Sequence, residues 1–157
     1  MLLTSILVTV AILVAIKKKD WNKVQKTILP LFTFYICVVI GITILYRLPS
    51  DNVHYITDLF WSYKKAKNNG NLFWEIGLNY LMLLPVGIMA PAYIKRRWTV
   101  LSGCLFSVTI EVAQFFLRRG LFEFDDIIGN TLGVLIGVGI YHLIEMMHSK
   151  RLKDIDI

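Results

Sequence analysis

Eight residues in the second half of this chain are of types that do chemistry: Asn79, Glu111, Gln114, Arg118, Arg119, Asp125, Asp126 and Asn130. Glu111, Gln114 and Arg118 follow i, i+3, i+7. Asp126, Asn130, Gly133 and Gly137 follow i, i+4, i+7, i+11. Each set marks one stripe of a helix. Two carboxylates brought close can work as a general acid and base, because desolvation or a like charge raises one of the two pKa values. Glu111 and Asp126 are the candidates for that role. An oxygen-only set also suits a divalent cation. An arginine among amides and acids suits a polar headgroup, a sugar or a peptide. No HExxH, GxSxG, CxxC or phosphate-loop motif accompanies them, so no metal, cofactor or nucleophile is assigned.

The stretches that must hold these residues are strongly apolar. Of the 157 residues, 56% are hydrophobic, and the mean hydropathy is +0.61. Long apolar runs separated by bunched charges are the pattern of an integral membrane protein. The fold class expected is therefore all-α and polytopic, a single domain over residues 1–157. Five runs can cross a bilayer: Leu2 to Ile16, Thr27 to Tyr46, Leu72 to Tyr93, Trp98 to Leu117 and Ile127 to Ile144. The first is short. Its lysines follow the apolar run, which fits an uncleaved anchor rather than a cleaved leader.

The net charge of +6 could suggest nucleic acid, but the basic residues flank apolar runs and no basic-aromatic module is present. No nucleic-acid role is expected. Eleven of the 17 basic residues fall on one side of the five-span arrangement and six on the other. The richer side should be cytoplasmic, with the N-terminus outside and the C-terminus inside. The long outer loop contains "VHYITDLFWSYKKA", with Val53, Ile56, Phe60 and Tyr63 at helical spacing. That predicts a short helix lying on the membrane surface. Cys37 and Cys104 sit within apolar runs and read as small buried hydrophobes.

With this topology the eight residues share one outer layer. Asn79 lies about 10 Å below the outer rim, Glu111 about 9 Å below it and Asn130 about 5 Å below it, at 1.5 Å per residue. Polar groups at such depths are costly and mark sites or helix–helix contacts. Both readings are open: a ligand pocket facing outward, or polar glue such as Glu111 to Asn130 and Arg118 or Arg119 to Asp126. Asp125 fits the helix face less well than Asp126 and could pair with Arg118 or Arg119. Gly129, Gly133 and Gly137 form a rib expected to draw the last two spans together. The same face could join a second copy. Pro85 should kink the third span.

At these residues the chain resembles the VanZ-like family of bacterial membrane proteins. The carriers are Asn79 with "PVG" at Pro85 to Gly87, "IEVAQFF" at Ile110 to Phe116, an arginine, and "FDDIIGNTLG" with Asp126, Asn130, Thr131 and Gly133. The matching region runs from about residue 71 to residue 141. The resemblance implies a multi-pass protein of the bacterial plasma membrane associated with resistance to the glycopeptide teicoplanin. The partners then expected are membrane lipids together with a cell-wall precursor, a lipid headgroup or a glycopeptide. The functions in view are binding of an envelope component, an enzyme on a lipid-linked substrate with Glu111 or Asp126 as acid or base, and a structural subunit.

Overall fold

The computed structural model describes residues 22–49, 55–56, 58–67 and 70–155. The expected first span, Leu2 to Ile16, lies outside the described residues. Contacts divide the chain into two units, one ending at Val38 and the other running from Val39. Everything that bears on the candidate site is in the second unit.

Helix α1 spans Lys23–Ile40. It starts with a reciprocal cap. The Gln25 backbone N–H donates to Asn22 Oδ1 at 2.8 Å and the Asn22 N–H to Gln25 Oε1 at 3.2 Å, so two orphan donors of the first turn are satisfied together. From Gly41 to Leu45 the helix widens into a π turn, a form common beside functional positions. Strand β1 is Tyr55–Ile56 and helix α2 is Trp61–Ala66. The surface helix expected across Val53 to Ala66 is thus shorter. Within it Tyr55 and Ile56 pair as a strand, Phe60 breaks the helical path with φ 63°, and Val53, His54 and Thr57 lie outside the described residues.

Helix α3 spans Gly70–Met89 and contains Pro85 without ending there. A short 3₁₀ turn, Ala90–Ala92, follows. Helix α4 is Arg96–Phe116, strand β2 is Phe122–Glu123 and helix α5 is Phe124–Ile155. The two strands pair in parallel, Tyr55 opposite Phe122 and Ile56 opposite Glu123, which ties the loop before α2 to the loop before α5. Among the described residues, four helical stretches are long and apolar enough to cross a membrane: Lys23–Leu45, Asn71–Ala92, Arg96–Phe116 and Phe124–Arg151.

The closest packing is between α3 and α5, and it depends on missing side chains. A Cβ on Gly133 would lie 2.1 Å from the Tyr80 carbonyl oxygen, and one on Gly137 would lie 2.2 Å from that of Leu84. From the other side, a Cβ on Gly87 would lie 2.1 Å from the Val134 carbonyl oxygen. Only glycine allows backbones this near. The rib expected to join the last two spans therefore faces α3 instead. At Gly133 and Gly137 it is covered within the chain rather than offered to a second copy. Helix α4 reaches α5 by a different device, with Gly103 opening a slot filled by the Val134 side chain.

Candidate functional site

The ends of α3, α4 and α5 near β2 carry the polar residues, and the helices hold them in register. Because α4 and α5 run antiparallel, Gly103 meets Val134 and Ser107, one turn further along α4, meets Asn130. The Asn130 Nδ2 donates to Ser107 Oγ at 2.9 Å, and both residues are fully buried. Asn130 Oδ1 is also buried and has no partner. A buried acceptor left open is costly and draws attention to the space around it. Ser107, which by its position ought to bond its own helix backbone, instead serves α5.

One turn beyond Ser107 stands Glu111, 2% exposed. Its Oε2 accepts the Glu123 backbone N–H at 3.1 Å, so β2 is hung from α4 by this carboxylate. The expected Glu111–Asn130 pair does not form. Asp126 accepts from Asn79 Nδ2 at 2.6 Å, which bridges α3 and α5. Asp126 and Glu111 are close enough to act on one another electrostatically. Gln114 is buried, and its Nε2 donates to the Thr43 carbonyl in the π turn at 3.1 Å.

The two arginines do separate jobs, and neither pairs with Asp125 or Asp126. Helix α4 ends at Phe116. The Arg119 N–H bonds the Gln114 carbonyl at 2.8 Å and the Arg118 N–H bonds that of Phe115 at 3.1 Å. With Arg118 at φ 55°, this is a Schellman ending in which Arg118 occupies the place glycine usually takes. Its side chain is exposed, off the stripe of Glu111 and Gln114. The turn sends Arg119 back, where Nη1 reaches the carbonyl oxygens of Ile44 at 2.9 Å, Leu45 at 2.5 Å and Arg47 at 3.2 Å. A cation there satisfies open carbonyls at a helix end and opposes the negative end of its dipole. Among the described residues the one ion pair is Arg96 with Glu145, at the opposite ends of α4 and α5.

Asp125 also has a different partner from the one expected. Its Oδ1 accepts the Phe60 N–H at 2.7 Å, and its Oδ2 accepts the Ser62 N–H at 3.0 Å and the Ser62 hydroxyl at 2.5 Å. A carboxylate from α5 thus caps the start of α2 and holds that short helix against the bundle. Tyr63 on α2 then meets Tyr80 on α3, hydroxyl to hydroxyl, at 2.8 Å.

Two charged residues join the cluster that residue spacing did not single out. Glu123 is half-buried, and burial followed by the nearby Asp126 charge pushes its carboxyl up to about 7. Trp61 lies close enough to interact with it, though its buried indole nitrogen falls short of a well-formed hydrogen bond. Arg47 follows the π turn. A Cβ on Gly120 would lie 2.7 Å from its Nη1 and 3.1 Å from Gln114 Oε1, so the guanidinium and the glutamine amide flank the same glycine. Arg47 acts electrostatically on both Glu111 and Asp126. A clue for Glu123 was its place two residues before Asp125. Arg47 offered none, since in sequence it is one loop charge among several.

The geometry therefore gathers Asn79, Glu111, Gln114, Glu123, Asp126 and Arg47 near one end of the bundle. Asn130 lies a turn deeper, Asp125 and Arg119 serve as braces, and Arg118 stands outside. No group of three or more His, Cys, Asp or Glu residues fit to hold a metal ion occurs among the described residues. Compared with known proteins, residues 31–145 match the family model described as VanZ/LLP1. The match begins at residue 31, so it takes in most of α1 as well as the region from residue 71. No curated protein and no solved structure matches the chain.

Proposed function

The chain belongs to the VanZ/LLP1 family, and from that premise we propose that it is a multi-pass protein of the bacterial plasma membrane with a polar pocket open to the outside. The pocket binds a cell-envelope or glycopeptide component, and occupancy changes susceptibility to glycopeptides such as teicoplanin. The observation that carries the reading is an imbalance. Glu111, Glu123 and Asp126 stand together with Arg47 within electrostatic reach, yet among the described residues none of the four is in an ion pair. Ionisable groups gathered at the end of an apolar bundle without an ion pair are by default candidates for a ligand site. Asn79–Asp126 and the Glu123 N–H to Glu111 bond hold the acids themselves, while Asn130–Ser107 and Gln114–Thr43 tie the elements that carry them.

The test is Glu111→Gln and Asp126→Asn at matched expression, with teicoplanin susceptibility as the readout. Both substitutions keep shape and remove charge. A change in susceptibility supports the pocket; wild-type behaviour in both sinks it.

An enzyme acting on a lipid-linked substrate is the second reading, favoured by the electrostatic coupling of Glu111 to Asp126. It requires turnover of labelled envelope lipids by purified protein, abolished by Glu111→Gln.

A further inference from the structure

Three acceptors short of donors stand together where α4 and α5 meet near β2. Ser107 and Asn130 are bonded across this seam. Glu111 lies four residues on from Ser107, and Asp126 four residues back from Asn130. In antiparallel helices that pair shares the next level, one turn nearer the end, and the two act on one another electrostatically. The level below Asn130 is closed by Val134, fully buried in the slot at Gly103. Asn130 gives its Nδ2 to Ser107 and keeps a buried Oδ1 with no partner. The polar level next to that oxygen is the one held by the two carboxylates.

Among the described residues, Glu111 accepts only the Glu123 N–H and Asp126 only the Asn79 amide. Glu123 and the exposed Glu75 add negative charge around Asp126, and Arg47 is the cation acting on both Glu111 and Asp126. Negative charge is in excess. Buried acceptors left open by the protein are met by water or by a ligand. Water supplies hydrogens but leaves the charge uncompensated. A primary ammonium supplies both, with three N–H donors on one cation. A metal ion finds no set of three His, Cys, Asp or Glu ligands among the described residues. Resting on the pocket reading above, we propose that this level binds a primary ammonium group, its donors going to Glu111, Asp126 and Asn130 Oδ1. The ion arrives past Asp126 and Glu123, which are only partly buried. Charge-assisted bonds hold it, and Arg47 opposes it. The ammonium is that of a soluble amine or of a lipid headgroup, and the chemistry of the contact is the same for both.

The experiment uses the full chain in detergent, with methylammonium chloride as the probe and thermal unfolding as the readout. Tetramethylammonium chloride at the same concentration carries the charge without an N–H, and sodium chloride is the bare cation. Methylammonium should raise the unfolding midpoint with a saturating dose dependence, and the two other salts should not. Glu111→Gln and Asp126→Asn each keep an acceptor and remove a charge, so each should raise the apparent Kd about tenfold. Arg47→Gln should lower the Kd, because it removes the opposing cation. It leaves in place the backbone carbonyl that Arg119 uses, and tighter binding is not the mark of a misfolded variant. Phosphatidylethanolamine introduced into phosphatidylcholine nanodiscs separates the sources. Competition with methylammonium assigns the site to a headgroup, and its absence to a soluble amine. Equal stabilisation by the three salts, or none by methylammonium, would overturn the proposal. If Glu111→Gln still alters teicoplanin susceptibility in that case, the pocket stands and only the ammonium is wrong.

Discussion

The side-chain amide of Asn79 on α3 donates to the Asp126 carboxylate on α5 at 2.6 Å, across the tightest helix contact among the described residues. One residue further, the Tyr80 carbonyl lies against Gly133. The polar bond and the glycine contact thus fix the same crossing. Asn79→Ala leaves Asp126 half-buried without its donor, so thermal unfolding in detergent should show a loss of about 1–3 kcal/mol. The exchange Asn79→Asp with Asp126→Asn restores a donor and an acceptor in reversed order and should recover part of that loss. An unchanged midpoint for Asn79→Ala would show that the bond adds nothing to the crossing.

The glycine contacts make a sharper claim, because two glycines of α5 provide a comparison. A side chain at Gly133 meets a backbone oxygen at 2.1 Å, and backbone cannot turn aside as a rotamer can. Gly133→Val should cost more than about 3 kcal/mol or prevent folding, beyond the ordinary range for overpacking. At Gly139 nothing lies within 4 Å of the added atom. Gly139→Ala should therefore be neutral or stabilising by about 0.5–1 kcal/mol, since alanine favours the helix. Melting curves of the two variants side by side decide the matter. Equal effects would mean that the α3–α5 approach is looser than the structure has it.

Much of this arrangement was readable from residue order. The stripe of Asp126, Asn130, Gly133 and Gly137 lies on one face because the helical period puts it there. Asn79 falls in the same layer by its depth and by its i, i+4 spacing from Glu75. What order could not give was the identity of each partner. Glycines advertise a close approach without saying to which helix, and here α3 won because Gly87 answers Gly137 on its side. The partners of Asp125 come from α2, a six-residue helix that it caps, and nothing in the order of residues announces that contact. Among the described residues, Tyr55 and Ile56 pair as a strand, so Ile56, Phe60 and Tyr63 do not lie on one continuous helix, and Val53 lies outside the described residues. Arg47 owes its position to a π turn, which leaves no pattern in the sequence that separates it from an ordinary helix end.

Arg118 and Arg119, adjacent and alike, should respond to substitution in opposite directions. Arg118 holds a left-handed backbone with an exposed side chain, a conformation that costs a non-glycine residue roughly 1 kcal/mol. Arg118→Gly should raise the unfolding midpoint and leave glycopeptide susceptibility as it was. Arg119→Gln withdraws the cation from three carbonyl groups and should lower the midpoint, at a cost of about 1–2 kcal/mol in stability. If instead Arg118→Gly destabilised the protein and Arg119→Gln did not, the roles given to the pair would be reversed.

Glu123 makes stability depend on pH in a defined direction. Burial, and then the charge of Asp126, push its carboxyl up to about 7 from an ordinary value of 4.5. Asp125 and Glu75 add to the same field. The folded protein therefore holds this proton to higher pH than the unfolded chain does. For such a group the stabilising contribution is complete below the unfolded value and is lost as pH rises through the folded one. The unfolding midpoint should fall as pH rises from the unfolded value of 4.5 to the folded value of about 7, most steeply midway between them, and level off above that. Glu123→Gln, which keeps the β2 backbone bond to Glu111 and removes the titration, should flatten that slope and raise the midpoint at pH 8. Any slope left in the variant belongs to the other acids of the cluster. A wild-type midpoint that rose with pH over this range, or a variant that kept the full slope, would show that Glu123 is not the group responsible.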